Sequence, residues 1–229
     1  MSDLDDIEVI EITSLEEIDN IDCDPRIQGI VLTNQLYKQY EKLSLNEKRD
    51  FLQFFELNLI LDRFKILFDR SGFINRKNLF YALQHNMALK ELYLSLKVGD
   101  LKLLATMLKS NQSIYKLDIS NNPYDKEGLL RLSKALKDNS TLIELNVQNT
   151  GIHDEEAIYI AYALRTNISL KIINLNDNPI SLELLKLIQK MLDVTFDYMK
   201  DKDEDIYRQR KQLFKPYENY FLNIKNMKL

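Results

Sequence analysis

The sequence predicts an α/β right-handed solenoid, a horseshoe with parallel strands on the concave face and helices on the convex face. Three observations carry this. Asparagine stands at Asn58, Asn86, Asn111, Asn139 and Asn167, with gaps of 28, 25, 28 and 28 residues. After each asparagine comes an L-x-x-L-x-L-like run: Leu61, Phe64, Ile66; Leu89, Leu92, Leu94; Ile114, Leu117, Ile119; Leu142, Leu145, Val147; and Leu170, Ile173, Leu175. Between these runs the apolar period changes to that of a helix, as in Leu129, Leu130, Leu132, Ala135 and Leu136. A fixed period of this length is the mark of stacked repeats, each too small to bury its own apolar stripe.

Each repeat is a short strand followed by a helix. In a strand alternate side chains face opposite ways, so Leu117 and Ile119 point one way and Lys116, Asp118 and Ser120 the other. Asp100, Asp154 and Ser181 are expected as N-caps, with Glu155, Glu156 and Glu183 in first turns where acids suit the helix dipole. The repeated asparagine lies where each helix must stop, and a left-handed C-terminal cap is its expected role. Segments 81–94, 134–147 and 162–175, with their A-L-x-x-N-x-x-L-x-x-L-x-L signature, resemble the ribonuclease-inhibitor-like subclass of leucine-rich repeats. That resemblance covers about residues 46–195. In size the chain resembles the tropomodulin C-terminal half, with about five repeats and a closing helix. The resemblance implies binding of a protein partner. A tropomodulin-like actin regulator and a GTPase-activating scaffold like the Ran activator are the other functions it implies.

The ends read differently from the middle. Residues 1–25 hold ten acids and no base, leaving 31 bases against 25 acids in the remainder. So acidic a stretch is expected as a flexible, solvated arm. Two alternatives stay open. Ile7, Val9 and Ile10 among acids resemble a SUMO-interacting strand, which binds by joining a sheet edge. Ile7, Ile10 and Ile12 also keep the repeat's strand spacing, as a strand covering the open sheet edge would. Residues 26–60 are expected as the N-terminal cap: a strand in RIQGIVLTN, a helix over 33–43, and a second helix opened by a capping box at Ser44 and Glu47. The repeats then occupy 61–195. Residues 196–229 form a helical cap and basic tail, with a charged break over 201–205. Within 207–229 there are six bases and one acid, and Tyr217, Tyr220, Phe221, Ile224 and Met227 form a helical apolar stripe. It seals the last repeat or, read as a basic amphipathic helix, docks on a partner or membrane surface.

Catalytic chemistry is not visible. His85, His153 and Cys23 do not make a common zinc site, and with five glycines there is no phosphate-cradling loop. No metal and no cofactor is expected, and the chain is read as no enzyme. His85 is expected to sit favourably at a helix end and His153 in an exposed turn. The triplets at Asn111, Asn139 and Asn167 match the glycosylation acceptor pattern, but repeat periodicity already explains them. The 64–80 segment looks like a calcium loop, yet aligning Gly72 puts Leu67 and Asn78 at ligand positions that need carboxylates. The run 201–205 has the acid spacing but Ile206 where glycine is required. No apolar run is long enough for a membrane span, no secretory signal is visible, and a lone cysteine fits a reducing compartment. The expectation is a cytoplasmic protein; delivery into a host cell as a bacterial effector is compatible with the Lys-, Asn- and Ile-rich composition.

Binding is expected on the concave strand face. Reading across repeats, the first column is Arg63, Glu91, Lys116, Glu144, Ile172. The second is Lys65, Tyr93, Asp118, Asn146, Asn174, and the third is Leu67, Ser95, Ser120, Gln148, Asn176. Tyr93 and Ile172 are the expected anchors, because binding hot spots favour large side chains. The columns carry no basic stripe, so no nucleic acid is expected there.

Overall fold

A computed structural model describes residues 8–12, 14, 17, 27–32, 39–40, 42–57, 63–66, 76–197 and 203–218. Seven strands, β1 (Glu8–Ile12), β2 (Ile27–Leu32), β3 (Arg63–Ile66), β4 (Glu91–Leu94), β5 (Lys116–Asp118), β6 (Glu144–Asn146) and β7 (Ile172–Asn174), form one parallel sheet in chain order. Among the described residues the helices are α1 (Leu45–Leu57), α2 (Arg76–His85), α3 (Asp100–Ser110), α4 (Lys126–Asp138), α5 (Asp154–Leu164), α6 (Leu182–Asp197) and α7 (Asp203–Phe214), followed by one 3-10 turn (Lys215–Tyr217). Each helix from α2 to α5 returns the chain to the next strand, the right-handed crossover that parallel pairing demands. This is the leucine-rich-repeat solenoid that the period predicts. Leu92, Leu117 and Leu145 pair in register and are buried in one core with Leu104, Leu132 and Ile158 of the convex helices. Each such leucine contributes roughly 2 kcal/mol by leaving water. Gly128, in the first turn of α4, allows close packing: a Cβ there would stand 2.7 Å from the Cβ of Leu101 on α3.

The periodic asparagine is not a left-handed cap. Asn111 and Asn139 are extended, at φ −70° and −78°. Their side chains are buried and work in two directions. In Asn139, Oδ1 accepts from the backbone N–H of Thr141 (3.0 Å) and Leu142 (2.8 Å), shaping the turn into the next strand. Nδ2 donates to the carbonyls of Leu108 (2.8 Å) and Asn111 (3.4 Å) in the preceding repeat. Asn111 does the same to Leu83 and Asn86, and Asn167 to Leu136 and Asn139. The carbonyls at a helix end lack intrahelical partners, so the asparagine of the next repeat satisfies them. Ser113 and Ser169, two residues after their asparagines, add Oγ–H donors to the carbonyls of Asn86 and Asn139. The glycosylation-like triplet is therefore a structural unit whose asparagine is buried. The left-handed positions lie elsewhere, at Asn121, Asn149 and Asp177, again 28 residues apart, together with Gly99 and Gly151.

Continuing the ruler from Asn167 by one repeat leads to Thr195, which has no amide to donate. Arg210 on α7 takes that place. Its Nη1 donates to the carbonyls of Leu164 (2.5 Å) and Asn167, and its Nε to that of Met191 (2.8 Å). Those first two carbonyls are one repeat on from the pair that Asn167 engages. Arg210 is fully buried, and desolvation pushes its guanidinium down to about 10, still protonated at neutral pH. Phe214 of the same helix is buried beside Tyr162, and Arg165 lies over both rings.

Other elements correct the expected punctuation. Asp100 and Asp154 are first helical residues, preceded by Gly99 and His153. Asp100 instead accepts from the N–H of Lys97 (2.8 Å), and Asp154 from that of Ser181 (2.6 Å) in the next repeat. The unanticipated N-cap is Asp125, which accepts from Gly128 at 2.6 Å. Ser181 does accept from Leu184, and Ser44 and Glu47 exchange the two bonds of a capping box. Residues 203–205 open α7 rather than breaking the chain, since acids are favourable in a first turn. The acidic N-terminal stretch contains β1, which pairs with β2, so Val9 and Ile10 are strand residues; Ile7 lies outside the described residues. A solvated arm gives way there because the parallel sheet's first edge offers backbone partners to a β-branched segment. Within 33–43 only 39–40 and 42–43 are described, and Asn58, residues 67–75 of the calcium-like segment and the apolar stripe beyond 218 lie outside the described residues.

On the convex side, ion pairs join neighbouring helices: Lys102 to Glu127 (2.7 Å) and Lys126 to Glu155 (2.9 Å). Glu127 also receives two donors from Arg131. Lys102 and Arg131 hold its carboxyl down to about 2 against an ordinary 4.5. A depressed folded-state value stabilises above the unfolded value and is lost as pH falls from there through the folded one. Glu127→Gln is thus expected to lower the thermal midpoint at about pH 6, by an amount that shrinks steadily as pH falls from about 4.5 toward 2. Asn139→Ala leaves two buried carbonyls and two amides unsatisfied. In urea denaturation it and Arg210→Ala should each lose about 2–4 kcal/mol, whereas exposed Asn176→Ala should lose well under 1 kcal/mol.

Candidate functional site

The strand register fixes which side chains share the concave face. Arg63 pairs with Glu91, Glu91 with Lys116, Lys116 with Glu144, and Glu144 with Ile172. Lys65, Tyr93, Asp118, Asn146 and Asn174 pair likewise. The first two of the three expected columns therefore stand in the sheet as read from the sequence; of the third, Ser95, Ser120, Gln148 and Asn176 lie just beyond the strand ends and Leu67 lies outside the described residues. Adjacent strands lie roughly 4.8 Å apart, close enough for column neighbours to touch.

Most of this face is bonded to itself. The buried Glu91 carboxylate accepts from two phenols, Tyr93 at 2.6 Å and Tyr115 at 3.2 Å. Lys116 pairs with Glu144 at 3.6 Å. Asp118 holds Ser120 through both its N–H and its hydroxyl, at 2.9 and 2.7 Å, and accepts from Asn146 Nδ2 at 2.8 Å. Asn146 in turn accepts from the N–H of Gln148, and Asn174 donates to Gln148 Oε1 at 3.1 Å. Gln148 reaches on to Asp177 at 2.6 Å, and Asn176 donates its N–H to Asn174. Ser95 contributes its carbonyl, which accepts from Arg76 at 3.3 Å. The result is a pre-formed polar floor whose rotamers are fixed before any ligand arrives.

Ile172 is the exception. It is 50% exposed at the C-terminal end of the first column. Tyr93 is half-buried, its hydroxyl committed to Glu91. Two further large residues were not read as site residues from the sequence: Tyr115 and Ile143, 36% and 37% exposed, directly before β5 and β6. Their signal was present as apolar residues in the slot immediately after the core position that opens each run, where Lys90 and Lys171 stand in the neighbouring repeats.

Elsewhere the described residues offer little chemistry. No group of three or more His, Cys, Asp or Glu among them is placed to hold a metal ion. A cleft of about 530 Å³ is lined by His153, Asp154, Glu155, Glu156 and Pro179, but Glu155 is already paired with Lys126 and Asp154 with the Ser181 N–H. Beside it, burial and the Glu156 carboxylate push the Tyr124 phenol up to about 12. A second, open groove of about 680 Å³ runs over the strand-to-helix loops past Lys97, Val98, Asn121 and Asn149. His85 is exposed at the end of α2, its Nδ1 2.8 Å from the carbonyl of Tyr81. No helix among the described residues is long and apolar enough to cross a membrane.

No protein-family model matches the chain, and no curated protein sequence does. Solved structures do. Actin-binding site 2 of leiomodin-1 superposes with a TM-score of 0.56 at 20% identity, covering 74% of this chain and 99% of that one. The tropomodulin C-terminal domain of Caenorhabditis elegans gives 0.52 at 14% identity, covering 68% and 95%. At such identities the likeness is one of fold. The chain has the leucine-rich-repeat fold, in the size and layout of a tropomodulin C-terminal domain.

Proposed function

We propose that the chain is a non-enzymatic protein-binding module that holds a protein partner across the concave face of its solenoid. The observation that carries this reading is the self-bonded floor of Glu91, Tyr93, Asp118, Asn146, Gln148 and Asn174, with Ile172 half exposed at its edge. A face whose side chains are already ordered loses little entropy on binding, and its amides pair with a partner at modest desolvation cost. Ser95, Lys116, Ser120, Glu144 and Asn176 complete the face. A second reading is an actin regulator. It rests on the likeness to an actin-binding site that this chain covers almost completely.

Affinity capture with mass spectrometry tests the first reading, comparing wild type with a folded Tyr93→Ala/Asn146→Arg/Asn174→Arg variant. The expected result is a specific protein retained by wild type and reduced at least about tenfold by the variant, since loss of central contacts dominates binding energy. Equal retention by both would contradict it. Actin pointed-end elongation followed by pyrene fluorescence tests the second: slowed elongation is expected under that reading, and unchanged elongation dismisses it.

A further inference from the structure

We propose that the N-terminal margin of the sheet is a docking ridge for an acidic amphipathic α-helix of a partner protein. The proposal rests on the protein-binding reading above and narrows it to a place and a partner chemistry.

The ridge is a column of four residues, one directly before each strand from β4 to β7: Lys90, Tyr115, Ile143 and Lys171. One backbone ladder holds them. The N–H groups of Tyr115 and Lys116 both donate to the carbonyl of Lys90. Those of Ile143 and Glu144 donate to Tyr115, and those of Lys171 and Ile172 to Ile143. Consecutive members are therefore fixed about one strand spacing apart, roughly 4.8 Å. Tyr115 and Ile143, with Ile172 one residue beyond Lys171, leave large apolar side chains partly in water, and on a water-facing surface such a cluster marks an interaction site. The Tyr115 ring is further pinned by its hydroxyl bond to buried Glu91, so little rotamer entropy remains to be lost.

Spacing selects the conformation of the occupant. In a helix, positions i, i+3 or i+4, and i+7 rise about 4.5–6 and 10.5 Å along one face. Three strands are crossed in about 4.8 and 9.6 Å. A helix laid across the strands thus sets successive apolar side chains on Tyr115, Ile143 and the Lys171–Ile172 step, where Ile172 is the exposed apolar residue. An extended segment repeats its face every 6.6–6.8 Å or so and falls out of step within two strands. Charge selects the composition. Lysines stand at both ends of the column. The nearby acids are engaged internally, Glu91 by two phenols and Glu144 by Lys116. Acidic side chains flanking the partner's apolar stripe meet bases, while basic ones meet like charge.

The test is selection of displayed random 16-residue peptides on the full chain, followed by binding of the synthesised winners. Winners are expected to be acidic, with apolar residues at i, i+3 or i+4, and i+7, and to gain helical circular dichroism on binding. Ile143→Asp should weaken them about tenfold or more, as should Ile172→Asp, and added salt should weaken them too. Both variants are checked for wild-type far-ultraviolet spectra and thermal midpoints. Basic or neutral winners, winners indifferent to both variants, or no enrichment would overturn the proposal. Winners lost only with Asn146→Arg/Asn174→Arg would overturn the ridge and leave the concave-face reading standing.

Discussion

A buried asparagine amide is the interaction on which the rest of this structure depends. Each repeat must end a helix, turn, and enter a strand within a few residues. That leaves helix-end carbonyls and turn amides inside the stack, where an unsatisfied group costs about 1–3 kcal/mol. One primary amide answers both needs. Its oxygen accepts from the turn that follows and its nitrogen donates to the repeat before. Because the donated bonds cross between repeats, the same side chain that shapes one unit spaces it against its neighbour. Sheet register, and with it the columns of the concave face, follows from that spacing. The ladder needs a terminator, and the guanidinium of Arg210 supplies one from outside the repeat sequence.

With the backbone satisfied in this way, the three exposed faces are free to differ. The convex face is laced by ion pairs between helices, such as Lys102–Glu127, whose worth falls with salt and acid. The concave floor spends its polar groups on one another, from Asp118 through Asn146 to Gln148 and Asn174. At the strands' N-terminal margin, Tyr115, Ile143 and Ile172 keep large apolar side chains partly in water. An order of this kind, with rigid floor and apolar rim, separates residues that shape a surface from those that supply its hydrophobic anchors.

Much of this was legible in the sequence because its rules are strict. A period of 28 names a stacked repeat, and the period of 2 within each strand fixes which residues share a face, so the Glu91–Lys116–Glu144–Ile172 column needed no coordinates. The asparagine stands at the helix C-cap as expected, but not in the left-handed conformation. A residue that closes a helix and tolerates left-handed backbone fits a cap, and only the contacts across repeats show that it is extended and bridging. Its partner hydroxyls at Ser113 and Ser169 are visible in sequence only as a glycosylation-like triplet. The truly left-handed residues, Asn121, Asn149 and Asp177, sit on a second ruler of the same period. Arg210 was not legible at all. Two of its three carbonyl partners lie 43 and 46 residues earlier, and no periodicity points from a basic tail to a repeat's missing amide.

The account stands on the amide ladder, and backbone hydrogen exchange measured residue by residue tests it most directly. If asparagine oxygens lock the turns into the cooperative stack, the N–H groups of Ile114, Leu142 and Leu170 should exchange only through global unfolding. Their opening free energies would then match those of the strand amides of Leu117 and Leu145. Exchange of these turn amides at the rate of the exposed loops, with the strands still protected, would contradict it and leave apolar packing alone as what holds the repeats together.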